Sequence, residues 1–146
     1  MLDVSTADAA HSRFEEKNTV TKEVFDIGLS IRKKVVGEQY VVKSMESADD
    51  FNRDFQNLVT EYCWGAVWGR EGLDHKTRSI INLAMISALN RPHELKLHVK
   101  GALRNGVSAE EIREVLMQVA IYAGVPAGVD GFRIAREAME EFAKES

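Results

Sequence analysis

Apolar residues recur along this chain at intervals of three and four, the period of helices with one buried face. Val20, Val24, Ile27, Ile31 and Val35 make the first such stripe, and Gly37 supplies its stop. Tyr40 to Met45 leans towards β by composition. With no second strand to pair with, it predicts a short helix instead. Asp49 is placed to cap a helix carrying Phe51, Phe55, Leu58, Val59 and Tyr62 on one side. Gly65, Gly69 and Gly72 then interrupt the pattern and predict a bend or loop over residues 65–73. Asp74 is the next cap. From Ile80 to Leu89 the sequence is apolar nearly all round, so that helix is expected to be central and buried, with Asn90 ending it.

Pro92 suits the first turn of the following helix, where its missing N–H costs nothing. That helix is expected to reach Asn105 and stop at Gly106. Ser108 and Glu111 have the spacing of a capping box. Ile112, Val115, Leu116, Val119 and Ala123 form the buried stripe behind it, until Gly124, Val125 and Pro126 break the chain. A last helix carries Val129, Phe132, Ala135, Met139 and Phe142. Residues 1–18 are polar, rich in Ala and Ser, and without periodicity. They are expected to be a flexible arm, free or lying on a partner subunit. Residues 19–146 then make one all-α domain, a bundle of six to seven helices.

Composition narrows the function. A chain of 146 residues holds one domain with a real core. Its two prolines are few enough to favour long helices. The net charge is −4 and the basic residues are interspersed with acids, so the electrostatic footprint of a nucleic-acid partner is missing. A single cysteine, Cys63, excludes an internal disulfide, a CxxC redox motif and a multi-cysteine zinc site. Ile80–Leu89 is interrupted by Asn82 and Ser87 and is far too short to span a membrane. The polar, acidic N-terminus does not read as a secretory signal. The expected location is the cytoplasm.

Several ionisable residues could carry chemistry. Glu94 and His98 are four apart and share a helix face. A carboxylate one turn away can orient an imidazole and favour its charged form, which makes a general acid/base. The same spacing also describes a surface ion pair. Arg78 stands just before the apolar run, where a guanidinium can clamp a substrate carboxylate or hold a structural salt bridge. Arg91, just before Glu94, is either a second cation for a substrate or a solvated residue at a helix start. Trp64 and Trp68 can wall an apolar pocket or pack a core or an interface. Tyr122, before the Gly-x-Pro break, can hydrogen-bond a ligand or a backbone carbonyl. Cys63 reads as a small buried hydrophobe. His75 and His93 read as surface or helix-start residues, and His11 lies in the arm. No HxxxH or HExxH spacing is present, so no metal is expected.

Read in order, WGAVW (64–68), GLDHKTRS (72–79), ELKLHVKGALRNGVSAEEI (94–112), YAGVPAG (122–128) and FRIA (132–135) resemble the carboxymuconolactone decarboxylase family. DDFNRDFQNLVTEY (49–62) extends the likeness towards the short, single-domain γ-carboxymuconolactone decarboxylase branch. The resemblance implies an all-helical fold similar to that of the alkylhydroperoxidase D proteins. It also implies a symmetric homo-oligomer, a trimer or hexamer. The exposed apolar surface expected of Phe132, Met139, Phe142 and the tryptophans agrees with association. The redox branch carries CxxC with a histidine four residues beyond the second cysteine. Here those positions hold Arg91, Glu94 and His98, so thiol chemistry is excluded.

The decarboxylase branch implies cofactor-independent loss of CO₂ from γ-carboxymuconolactone, giving β-ketoadipate enol-lactone in aromatic-acid breakdown. The electrons pass through a conjugated C=C into the lactone carbonyl, so the ring is the electron sink. The protein must hold anions, stabilise an enolate oxygen and return a proton to carbon. By resemblance, Arg78 and Arg91 suit the anions, and His98 with Glu94 suits the proton or the oxyanion. Trp64, Trp68 and Tyr122 suit substrate binding. Two departures stand out. The branch typically reads W-G-E-V-W, and this chain has Ala66 at the glutamate position. Gly128-Val129-Asp130 also replaces more usual Ala-Asn-Glu-like residues. Ala66 leaves three outcomes open: attenuated decarboxylation, action on another small carboxylated lactone or acid, or a binding protein without catalysis.

Overall fold

The computed structural model describes residues 22–145, so the N-terminal arm and Val20 lie outside the described residues. The described residues are helical throughout, with short turns and no strand. Helix α1 covers 22–36 and α2 Glu38–Glu46. Helix α3 is Arg53–Leu58 and runs on as a π-helical segment, Val59–Val67. Then come α4 (His75–Ala88), α5 (Pro92–Arg104), α6 (Ala109–Tyr122) and α7 (Val125–Glu145). The contacts group the described residues into two compact units. One joins α1 up to Arg32 with Ser44–Arg70; the other joins Lys33–Lys43 with Glu71 onwards.

In the first unit α1 crosses the π-helical segment at two glycines. A Cβ on Gly28 would collide with the Thr60 carbonyl and the Gly65 backbone, and one on Gly65 with the Val24 carbonyl. Only hydrogen at both positions allows the helices so close. This is why the expected loop over 65–73 is wrong at its start. Gly65 is buried packing surface within a continuing helix, which ends at Trp68 with an i→i−5 bond to Cys63 O (3.0 Å). The helix before it also begins later than expected. Asp49 caps only a turn, accepting from Phe51 N and Asn52 N, and α3 starts at Arg53. The Phe51, Phe55, Leu58 and Tyr62 stripe is exposed, Phe51 almost completely.

The second unit holds a core of Leu83, Leu95, Val99, Ala102, Ile112, Leu116 and Ile134. Its helix ends follow local hydrogen-bond chemistry. The Asp74 carboxylate accepts from Thr77 N at 2.7 Å. Ser108 and Glu111 form both bonds of the capping box, at 3.1 and 2.8 Å. Asn90, Gly106 and Gly124 take positive φ at three helix exits.

Three expected faces are different. Helix α4 buries Ser79, Leu83 and Ser87 but leaves Ile81, Met85 and the following Leu89 exposed, because α5, α6 and α7 cover only part of its circumference. On α6, Ala123 lies beyond the helix end and is exposed. On α7 the buried face is Gly128, Gly131, Ile134, Ala135 and Ala138, while Val129 and Phe132 point outward. The small residues allow close packing on α6: a Cβ at Gly128 would strike Ala120, and one at Gly131 would strike Leu116.

Helices α5 and α7 run parallel, tied by a charge ladder. Lys96 pairs with Glu137 and Glu141, Lys100 with Glu141 (2.9 Å) and Glu145 (2.7 Å), and Arg104 with Glu145. Arg104 also donates to Val35 O and lies over the Phe142 ring.

Candidate active site

Helix α5 has two chemically different sides. The Lys96, Lys100 and Arg104 side faces α7. Glu94, His98 and Asn105, at i, i+4 and i+11, fall on the opposite side. Asn105 joins that side to α4: its Nδ2 donates to Ser79 Oγ at 3.0 Å and to His75 O at 3.5 Å. Arg78, next to Ser79, is partly buried on α4. The structure therefore seats Arg78, Glu94 and His98 on neighbouring antiparallel helices of one unit.

His98 is partly buried and Glu94 is exposed. Burial pushes the imidazole pKa down from 6.5 to about 4, against the upward pull of Glu94. The expected stabilisation of a charged imidazole is thus outweighed by desolvation. His98 is neutral near pH 7, with one nitrogen a donor and the other an acceptor. A neutral imidazole polarises an oxygen by donating N–H and remains able to accept a proton.

The other candidates are more scattered. Arg91 occupies the N-cap position of α5, exposed, with its carbonyl accepting from Leu95 N. Tyr122 ends α6 and is 86% exposed. It borders an apolar hollow of about 520 Å³ between α4 and α6, lined chiefly by Ile80, Ile81, Met85, Val115 and Val119. Arg78, Arg91, Glu94 and His98 do not line that hollow. His75 is half-buried and His93 exposed.

In the first unit Trp64 and Trp68 are 5% and 4% exposed and lie against each other, ring centres 4.8 Å apart at 34°. They offer little surface of their own, whereas Ala66 between them is exposed. Cys63 is exposed, not buried as expected. Its thiol is nonetheless shielded enough that burial raises its pKa, opposed by the charge of Arg32. Arg32 is the residue that sequence reasoning passed over. It is 6% exposed and bonded to Thr60 and Gln56. Its place four residues after Gly28, beside the α1 apolar stripe, was the available signal. Among the described residues, no three His, Cys, Asp or Glu side chains converge as a metal site. Nor is any described helix long and apolar enough to cross a membrane.

Residues 53–137 match the model of the carboxymuconolactone decarboxylase family. A 4-carboxymuconolactone decarboxylase of Acinetobacter baylyi is 40% identical over 114 residues, covering 78% of this chain and 85% of that one. A nitrosuccinic acid decarboxylase of Metarhizium robertsii is 38% identical over 120 residues, covering 82% and 84%. The matched span takes in the π-helical segment, α4, α5 and α6 whole, and with them every candidate residue from Trp64 to Tyr122. The chain belongs to the carboxymuconolactone decarboxylase family.

Proposed function

We propose that this carboxy-lyase removes CO₂, without a cofactor, from a small acid of the γ-carboxymuconolactone type. The observation that carries the reading is the partly buried, neutral imidazole of His98 beside the Glu94 carboxylate, in a chain with two decarboxylases among its relatives. In the reaction the bond between ring carbon and carboxylate breaks, and its electron pair moves through the C=C to the lactone carbonyl oxygen. His98 donates N–H to that oxygen as its charge develops. Arg78, with Arg91, holds the carboxylates, and a proton drawn from solvent is added to carbon. Tyr122 contacts the substrate as well, and Trp64 and Trp68 keep the substrate-binding role that the family resemblance implies for them. The protein works as a cytoplasmic homo-oligomer. The exposed Phe51, Phe55, Leu58 and Tyr62 stripe and the exposed Ile81, Met85 and Ile121 support association.

A second reading is favoured by Ala66 and by the nitrosuccinic acid decarboxylase relative. An acid whose leaving carboxylate sits on a nitro-bearing carbon sends the same electron pair into the nitro oxygens. Both substrates are small dicarboxylic acids that lose one carboxylate into an oxygen-terminated acceptor. Purified protein should be assayed by ultraviolet absorbance with enzymatically generated γ-carboxymuconolactone and, in parallel, by CO₂ release with nitrosuccinate. Turnover of the lactone supports the first reading, and turnover of nitrosuccinate alone the second. Turnover of neither overturns both. His98→Ala should abolish most of the activity while leaving helix content and oligomer intact.

A further inference from the structure

Helix α1 meets the α3/π segment along a seam spaced by four residues: Val24, Gly28 and Arg32. The first two positions bring backbones together, and the third is a clamp. Arg32 donates through one terminal nitrogen to Thr60 Oγ1 at 3.0 Å and through the other to Gln56 Oε1 at 2.8 Å. The first nitrogen also approaches Met45 Sδ at 3.8 Å. Because the guanidinium supplies the donor, the Thr60 hydroxyl keeps its own hydrogen for Gln56 O, at 2.8 Å. Thr60 is fully buried.

These contacts fall where the helix changes register. Arg53–Leu58 is α-helical and Val59–Val67 is π-helical. A π segment of nine residues is unusual, since π turns are mostly single bulges that lie at functional sites. Its wider bonding needs support that an isolated helix does not provide. Gln56 is the last full turn before the switch and Thr60 lies just beyond it, so Arg32 spans the junction from outside.

We infer that Arg32 is a positioning residue. By bridging Gln56 and Thr60 it holds Val59–Val67 in the π register and so fixes where Trp64, Ala66 and Trp68 stand. The structural half of this inference is independent of the reaction. Its catalytic half rests on the substrate-binding role that the family resemblance implies for Trp64 and Trp68.

Trp64 and Trp68 are the two tryptophans of the chain, and at 4.8 Å their indoles couple to give an exciton couplet in far-ultraviolet circular dichroism. Arg32→Met and Arg32→Lys should be compared with wild-type protein below their melting transitions. Loss of the couplet with retained helix content is expected for both, because an ammonium cannot span two acceptors as a planar fork does. A packing role alone would lower Tm and leave the couplet of the folded state unchanged. In whichever reaction the wild type catalyses, kcat/KM should fall roughly 10- to 100-fold, as a displaced contact surface does. Thr60→Val and Gln56→Ala each remove one leg of the bridge and should weaken the couplet if the Arg32 variants fail to fold. An unchanged couplet in the folded variants overturns the inference, as does full restoration by Lys. A lost couplet with a wild type inactive on both acids leaves the positioning role intact and overturns the functional reading instead.

Discussion

The neutral state of His98 has a consequence that can be measured without any substrate. Burial lowers its pKa from 6.5 to about 4. A histidine with a folded pKa below its unfolded value binds its proton more weakly when folded. Stability from this source is complete above about pH 6.5 and is lost as the pH falls towards 4. At about 1.4 kcal/mol for each pH unit, the loss across that window is about 3 kcal/mol. Replacing His98 with Gln, which is close in size and does not titrate, should remove this dependence. Urea unfolding of both proteins, followed by ellipticity every half unit between pH 7 and 4, gives the two profiles. The wild-type curve should fall more steeply below pH 6, at a slope approaching one extra proton bound by the unfolded chain. Activity should add a second signature: kcat/KM should stay level through pH 6.5, with any limb due to His98 appearing near 4. Parallel stability profiles, or a limb near 6.5, would refute the desolvated imidazole.

Other expectations are simpler. Gly65→Ala drives a methyl into the Val24 carbonyl and should cost about 1–3 kcal/mol or more in chemical denaturation. Ser87→Ala should be neutral or mildly stabilising, within about 1 kcal/mol, because Ser87 Oγ is buried with no hydrogen-bond partner. Lys96 and Lys100 hold the Glu141 carboxyl down to about 2. Its contribution should therefore be present above pH 4.5 and lost as the pH falls towards 2. Glu141→Gln should flatten that part of an acid titration, and added salt should shrink the difference. Ala66→Glu should raise turnover of γ-carboxymuconolactone if the missing carboxylate only attenuates that reaction. An unchanged or lower rate, measured by the same absorbance assay, favours the nitro acid.

Features set by neighbours along the chain were legible in the sequence. The Asp74 cap, the Ser108/Glu111 box, Pro92 at the start of α5 and the glycine exits are local chemistry, and each stands where expected. Features set by contacts distant in sequence were not. Gly65 reads as a breaker until α1 is laid against it. The buried side of α7 is made of glycine and alanine, which a search for large apolar residues passes over in favour of Val129 and Phe132. The site divides in the same way. Spacing alone paired Glu94 with His98, but the charge state of that histidine depends on how far it is sunk. Arg32 sits beside Lys33 and Lys34 in sequence, and only the fold distinguishes the buried cation from the two beside it.

Trp64 and Trp68 both belong to the first unit, while α4 to α7, most of the helix, belong to the second. Indole emission therefore follows one unit, and ellipticity at 222 nm is weighted towards the other. In a denaturant titration the two signals share a midpoint only if the units unfold as a single cooperative body. Separate midpoints would mean that a ligand or mutation can loosen one unit while the other keeps its full stability. The position of two side chains thus gives the unmodified protein its own test of cooperativity.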